Sequence, residues 1–461
     1  MVFSGLPFLF FFLPTALALY YLAPRRAKNG VLCLVSVVFY AWGEPVYVTL
    51  MLFSIAVNFA YGRWAERRGP RRPALALIIA VNLALLGFFK YAGLLAASLQ
   101  ALGLPVPAPD LPLPIGISFY TFQALSYVID VYRGRCQAQR SLIDFGCYLA
   151  MFPQLIAGPI VRYISVAEQL RDRRESIEGF TAGIGLFALG LSKKALLANQ
   201  FGLLWETCRD LPAGAATFLA AWLGVAAFAF QIYFDFSGYS DMALGLGRMF
   251  GFTFPVNFRY PYTARSVTDF WRRWHITLSS WFREYVYIPL GGNRVPAPRH
   301  IFNVAVVWTL TGFWHGASWN FALWGAYFGL LLVLEKYVWG RWLEKAPAWC
   351  RHVYCLAAVF IGWVFFNFTS IPEAFGYLAL MFGAAPAWND FALYYLISYG
   401  PLLLIGALGC TARPAACWES LRRKKPALAA WAGAALTVGA LFLCLAYIVN
   451  SGYNPFLYFR F

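Results

Sequence analysis

The chain has 461 residues, 61% hydrophobic and 12% charged, against about 45–50% and about 25% in a soluble globular protein. With a mean hydropathy of +0.60, this excludes a disordered tail, a disulfide scaffold and an ordinary cytosolic enzyme, and leaves a polytopic membrane protein. The 37 Lys and Arg exceed the 20 Asp and Glu by 17; at this hydropathy the excess belongs to positive-inside loops, and no nucleic-acid partner is expected.

From the N-terminus, residues 3–22 read as a first membrane helix. They lack the basic segment that opens a signal peptide and are too long and aromatic for its apolar core. A span needs about 20 apolar residues, fewer where protein surrounds it. Further apolar runs predict helices over 31–42, 45–62, 74–98, 115–132, 178–205, 217–238, 301–316, 319–338, 353–369, 389–411 and 427–449. That makes eleven or twelve spans, the count turning on the two short runs around Trp42-Gly43-Glu44-Pro45. Basic clusters at 25–28, 63–72, 133–140, 162–174, 336–351 and 413–425 fall on one side. The positive-inside rule then puts the N-terminus outside, in a multi-pass protein of the inner (cytoplasmic) membrane. No internal repeat and no Ser/Gly/Pro-rich linker is visible, so 1–461 reads as one domain.

Nine cysteines are scattered without paired CxxC units. Cys350, His352 and Cys355 only superficially resemble a ligand cluster, since a second half is missing; no metal is expected. Gly183-Ile-Gly185 and Gly245-Leu-Gly247 follow no strand and read as small-residue helix packing rather than phosphate loops. Asp235 and Asp241 lie inside or at the end of an apolar run. A carboxylate in hydrocarbon costs at least about 2.5 kcal/mol, so these two should either pair with an arginine such as Arg248 or Arg259 or line a polar tunnel.

Ser266 and Asp269 have capping-box spacing and should start a helix. Along it Trp271, Trp274, His275, Leu278, Trp281, Phe282 and Tyr285 form one aromatic stripe, with Arg272, Arg273, Ser279 and Arg283 off it. His275 is thus expected to point away from the arginines. The Pro/Gly-rich turn from Tyr287 to Arg294 cannot continue the helix. In Gly312-Phe-Trp-His315-Gly316-Ala-Ser318-Trp319-Asn320, one helix should end near Gly316 and another begin at an N-cap Ser318. An ionisable side chain at such a break is a candidate functional group, and an imidazole held neutral there can accept a proton at pH 7. His300 and His352 follow arginines and read as solvated interface residues. A GxSxG nucleophile motif is absent.

Arg272 to Tyr285, Tyr287 to Arg294 and Gly312 to Asn320 together resemble the membrane-bound O-acyltransferase family, in its bacterial polysaccharide-acetylating branch. Phe152-Pro-Gln-Leu-Ile-Ala-Gly-Pro159, Phe234 to Asp241, Met1-Val-Phe-Ser4 and the aromatic end Asn454 to Phe461 agree with it. The motif-bearing core is about 115–325. The resemblance implies an all-α bundle around a central tunnel, with short re-entrant or interfacial helices. It implies acyl transfer from a cytoplasmic thioester to a hydroxyl, with no permanently bound cofactor. The donor would be acetyl-CoA or an acylated phosphopantetheine carrier, received by basic loops such as 259–273. The acyl group would pass across the lipid bilayer to an extracytoplasmic partner that acetylates an exported polysaccharide, alginate or similar. His315 falls on the family's essential membrane histidine and His275 on the second histidine of the branch. His315 would serve as general base, or alternatively as acyl carrier, and His275 would orient the thioester or stabilise the oxyanion. Trp271, Trp274, Trp314 and Trp319 would wall the tunnel against water, with Asp235, Asp241 and Asn320 lining it. A polysaccharide or lipid transporter, or a noncatalytic scaffold of an acetylation complex, are the competing readings; neither needs to consume a thioester.

Overall fold

In hydrocarbon every backbone polar group must find a partner within the protein, and a helix does this within its own segment. The computed structural model describes every residue except 1, 108, 110, 156, 157, 213, 451, 454, 456 and 458–461; part of the Phe152–Pro159 motif and most of the aromatic end therefore lie outside the described residues. Each predicted apolar run carries a helix, and no strand occurs among the described residues.

Among the described residues seven helices are long and apolar enough to cross a membrane: Arg72–Ala101, Ile177–Arg209, Phe218–Met249, Trp319–Lys345, Ala348–Asn367, Asp390–Gly409 and Pro426–Asn450. Phe8–Leu22, Lys28–Gly43, Val48–Arg68, Ile117–Tyr132 and Ala297–His315 are shorter or more polar. The expected eleven or twelve spans thus divide into long helices and shorter ones. Ile117–Tyr132 shows why a short helix suffices: nearly all its side chains are buried in protein.

The chain forms two compact units, Met1–Ala188 with Tyr239–Val256, and Leu189–Gly238 with Asn257–Phe461. In the first, Ile117–Tyr132 packs against Val48–Arg68 and Arg72–Ala101, and Lys28–Gly43 against Leu142–Ala150. In the same unit Arg173 Nε donates to Tyr20 Oη at 2.9 Å and Lys28 Nζ lies 3.1 Å from Glu175. The small-residue packing expected of the glycine strings is made by one glycine of each. A Cβ on Gly183 would stand 2.7 Å from the Gly245 carbonyl oxygen, and one on Gly245 would stand 2.6 Å from that of Gly183.

In the second unit Ala297–His315 packs along Trp319–Lys345, with Ala348–Asn367 against the latter. A Cβ on Gly312 would lie 2.3 Å from the Phe321 carbonyl oxygen, and one on Gly325 would lie 2.3 Å from that of Trp308. The backbones therefore touch one turn before His315, which close small-residue packing permits. Gly325→Ala should force the pair apart at a cost of about 1–3 kcal/mol and lower the thermal midpoint of the detergent-purified protein. Gly439→Ala, where no neighbour lies within 4 Å, is the control. Equal midpoints for the two variants would refute the contact's importance.

Candidate active site

Ser266 caps the Val267–Arg273 helix as its spacing predicts, its hydroxyl accepting from the Asp269 N–H at 3.0 Å. The single long helix expected to follow is broken. His275 adopts φ 43° and ψ 55°, the left-handed region, and a second helix runs over Ile276–Phe282. Such a conformation costs a residue with a Cβ about 1–2 kcal/mol and persists only where neighbours enforce it. Here the 257–259 segment does so: Arg259 N–H donates to the Arg273 carbonyl and Ile276 N–H to the Asn257 carbonyl, each at 3.0 Å. The Asn257 side-chain oxygen accepts from the Thr277 hydroxyl at 2.6 Å.

The break changes which side chains share a face. His275 lines the same cavity as Trp271, Arg272, Leu278, Ser279, Phe282 and Arg283, so the imidazole and two of the arginines are not on opposite sides as a continuous helix required. Its ring is buried edge-to-face against Phe236, centroids 4.7 Å apart. That burial pushes the imidazole well below its ordinary pKa, leaving it neutral at pH 7.

His315 is the last residue of Ala297–His315. Gly316 follows in extended conformation and Ser318 precedes the next helix, though its hydroxyl makes no capping bond. Gly316 is needed for space, since a Cβ there would lie 2.2 Å from the Phe321 ring. The His315 ring is buried between edge-to-face contacts with Trp324 at 5.0 Å and Phe366 at 5.2 Å. Trp314 contacts both imidazoles, at 5.7 Å from His275 and 5.0 Å from His315.

Both histidines open on one cavity of about 750 Å³, within the range of small-molecule sites. Its walls also carry Arg272, Arg283, Lys336 and Arg351 against Glu335 and Glu344. Among the described residues no group of three His, Cys, Asp or Glu side chains comes together to hold a metal.

Of the other expected tunnel residues, Trp271 lines this cavity. Trp274 is buried against Phe270, Phe258 and Trp363. Trp319 is 56% exposed, which does not suit a tunnel wall. Asn320 is buried and donates to the Phe365 carbonyl at 3.3 Å, tying two helices together. Asp235 pairs with Lys194 at 2.8 Å, with neither Arg248 nor Arg259, and accepts from the Leu457 N–H at 3.0 Å. Asp241 is half-buried and belongs to the other unit.

His300 corrects the expectation of a solvated residue. It is buried on the cavity wall, within hydrogen-bond distance of Tyr287, Lys336 and Tyr337. His352 is half-buried, its Nδ1 3.0 Å from the Ala264 carbonyl oxygen. Glu335, Lys336, Thr311 and Trp308 were also not anticipated. The missed signal lies on Ala297–His315, where His300, Val304, Val307, Trp308, Thr311 and His315 all line the cavity at helical spacing.

An all-helical, multi-pass membrane protein with three buried imidazoles on a cation-rimmed cavity has the frame of a membrane acyl-transfer enzyme. The model of the membrane-bound O-acyltransferase family matches residues 136–377, and the chain belongs to that family. It is 41% identical over 391 residues to the probable alginate O-acetylase AlgI of Azotobacter vinelandii, covering 83% of this chain and 78% of that protein. It is 32% identical over 415 residues to the peptidoglycan O-acetyltransferase of Helicobacter pylori, covering 82% and 79%. A teichoic acid D-alanyltransferase of Streptococcus thermophilus is 32% identical over 244 residues, 50% of this chain and 58% of that protein.

Removing one member of a buried ion pair costs about 3–5 kcal/mol, whereas replacing both by apolar residues is often neutral. Lys194→Met and Asp235→Leu should therefore each lower folded protein in the membrane, and the double variant should recover much of that loss. A double variant as depleted as the product of the singles would contradict the pairing.

Proposed function

We propose that this chain transfers an acetyl group from a cytoplasmic thioester, acetyl-CoA or an acylated phosphopantetheine carrier, for O-acetylation of an exported polysaccharide such as alginate. The route runs through an extracytoplasmic partner, in the inner membrane, with the N-terminus outside and the basic loops inside. The observation that carries this reading is one cavity walled by both His275 and His315 and rimmed by four cationic side chains.

In the proposed step a hydroxyl oxygen attacks the thioester carbonyl carbon while His315 takes its proton; general-base assistance of this kind contributes roughly 10²–10⁴-fold. The C–S bond then breaks, and the imidazolium returns the proton to the leaving thiolate. His275, neutral because it is buried, can donate one hydrogen bond to the developing oxyanion. Trp271 and Trp314 exclude water that would hydrolyse the thioester. The cations suit a phosphorylated donor. They also favour acetyl over D-alanyl, whose α-amino group is mostly cationic at pH 7, its pKa being about 7.7–8.0.

Ester-linked acetyl on the exported polysaccharide, compared among wild type, a deletion and His315→Ala at matched membrane abundance, tests the reading. Loss in both altered strains is expected. Loss in the deletion alone would favour a scaffold, and loss in neither would refute the substrate or the reaction. Thioester consumption by the purified protein separates the enzyme from a transporter. His275→Gln should lower the rate but leave the pH dependence between about 5 and 8 unchanged, because depression of its pKa keeps His275 neutral throughout that interval. An acidic limb that disappears in His275→Gln would overturn this assignment.

A further inference from the structure

The Trp319–Lys345 helix widens into one π turn at Glu335–Trp339, a departure that recurs at functional sites. Gly340 closes it. A Cβ there would stand 2.1 Å from the Glu335 carbonyl oxygen, so the turn has no room for a side chain at that position.

The turn sends successive side chains to two different elements. Glu335 is buried and faces the first turn of Val267–Arg273. Its carboxylate accepts from the Val267 N–H at 2.6 Å, the Thr268 N–H at 2.8 Å and the Thr268 hydroxyl at 2.6 Å. Ser266 supplies the acceptors for the next two N–H groups, its hydroxyl for Asp269 and its carbonyl for Phe270. Three N–H groups that a helix start leaves without intrahelical partners, those of Val267, Thr268 and Asp269, are thus satisfied, two of them by Glu335. Lys336 and Tyr337 face Ala297–His315 instead. Lys336 Nζ lies 3.1 Å from His300 Nε2, and the Tyr337 hydroxyl 3.0 Å from His300 Nδ1. Lysine has only hydrogens to give, so Nε2 accepts, and Nδ1 carries the proton and donates it to Tyr337.

The two clamped helices are the ones whose last turns deliver the histidines. Val267–Arg273 ends two residues before His275, and Ala297–His315 ends on His315. We propose that Glu335 is a positioning residue for acyl transfer. Through the π turn it fixes the His275 segment against the His315 helix and so sets the geometry in which both imidazoles meet one substrate. The proposal rests on the reading that these two histidines perform the transfer. Misplacement by about 1 Å can cost a reaction about 100-fold, so a lost clamp should appear in turnover before it appears in folding.

Glu335→Gln keeps the shape but replaces one acceptor oxygen with an NH₂ facing a backbone N–H. Gly340→Ala disturbs the same turn from the backbone side. With purified protein and acetyl-CoA as the probe, thiol release should show kcat lowered about 10- to 100-fold in Glu335→Gln, with KM and the thermal midpoint kept. Gly340→Ala should lower kcat too, together with the midpoint, because its Cβ meets the Glu335 carbonyl oxygen, so the split itself is read in Glu335→Gln. Wild-type kcat in Glu335→Gln, or a fall in kcat there that tracks the midpoint, would overturn the proposal, and the Glu335→Gln result stands if Gly340→Ala fails to fold. His315→Ala separates the two ideas. If it retains turnover, the histidine reading fails; if it is dead while Glu335→Gln is unimpaired, only the clamp fails. Should wild type release no thiol from acetyl-CoA, the ranking of cellular ester acetyl at matched abundance decides instead: Glu335→Gln well below wild type supports the clamp, and parity overturns it.

Discussion

A helix that stops inside protein leaves four N–H groups at its start and four C=O groups at its end to be satisfied by something else. The second unit is organised around how this constraint is met. The break beside His275 exists because the 257–259 segment offers a carbonyl and an N–H to the interrupted chain on its two sides. The start of the preceding helix exists because Ser266 and Glu335 take up its free N–H groups. The first helix has seven residues and the second twelve, counting the π turn Arg283–Tyr287 that continues it, too few to be stable by propensity alone. Their positions follow from these tertiary hydrogen bonds, and the position of His275 follows from theirs.

His315 is placed by close packing rather than by hydrogen bonds. The backbones of two helices meet at Gly312 and Gly325, and the imidazole emerges one turn later among Trp324, Phe366 and Trp314. Aromatic rings hold each other at defined angles and exclude water. One imidazole thus depends on the backbone accounting of short helices and the other on contact between long ones. The π turn at Glu335 connects the two systems, since it belongs to a long helix and caps a short one.

Much of the architecture was legible in the sequence because hydrophobic runs of span length have few alternatives in a membrane. The positions of the helices and the capping role of Ser266 follow from composition and local spacing. His275 and His315 stood out because each lies where the helical pattern meets residues that hydrocarbon would not accept. The break at His275 was not legible. Periodicity through Trp271, Trp274, Leu278 and Trp281 fits one continuous helix, and what interrupts it is Asn257, far back in the chain. Asp235 was misread for a similar reason. Its cost in an apolar run is plain, but its partner Lys194 is a lysine on another helix, and arginines nearer in sequence looked more natural.

His300 shows what a stricter reading of register recovers. Taken with its neighbour Arg299 it looks solvated, because adjacent basic residues usually mark a loop. Counted backwards from His315, however, Thr311, Trp308, Val307, Val304 and His300 fall at offsets of 4, 7, 8, 11 and 15, which keeps all of them on one face of an α-helix. A face that begins and ends in histidine and carries a threonine between cannot be turned to lipid without cost. Such a face must look onto protein or onto a cavity. Since its middle is Val, Val and Trp, the polar positions lie at the ends and the apolar wall between them. That is the arrangement the cavity has, with His315 among aromatic rings at one end and His300 with Lys336 and Tyr287 at the other.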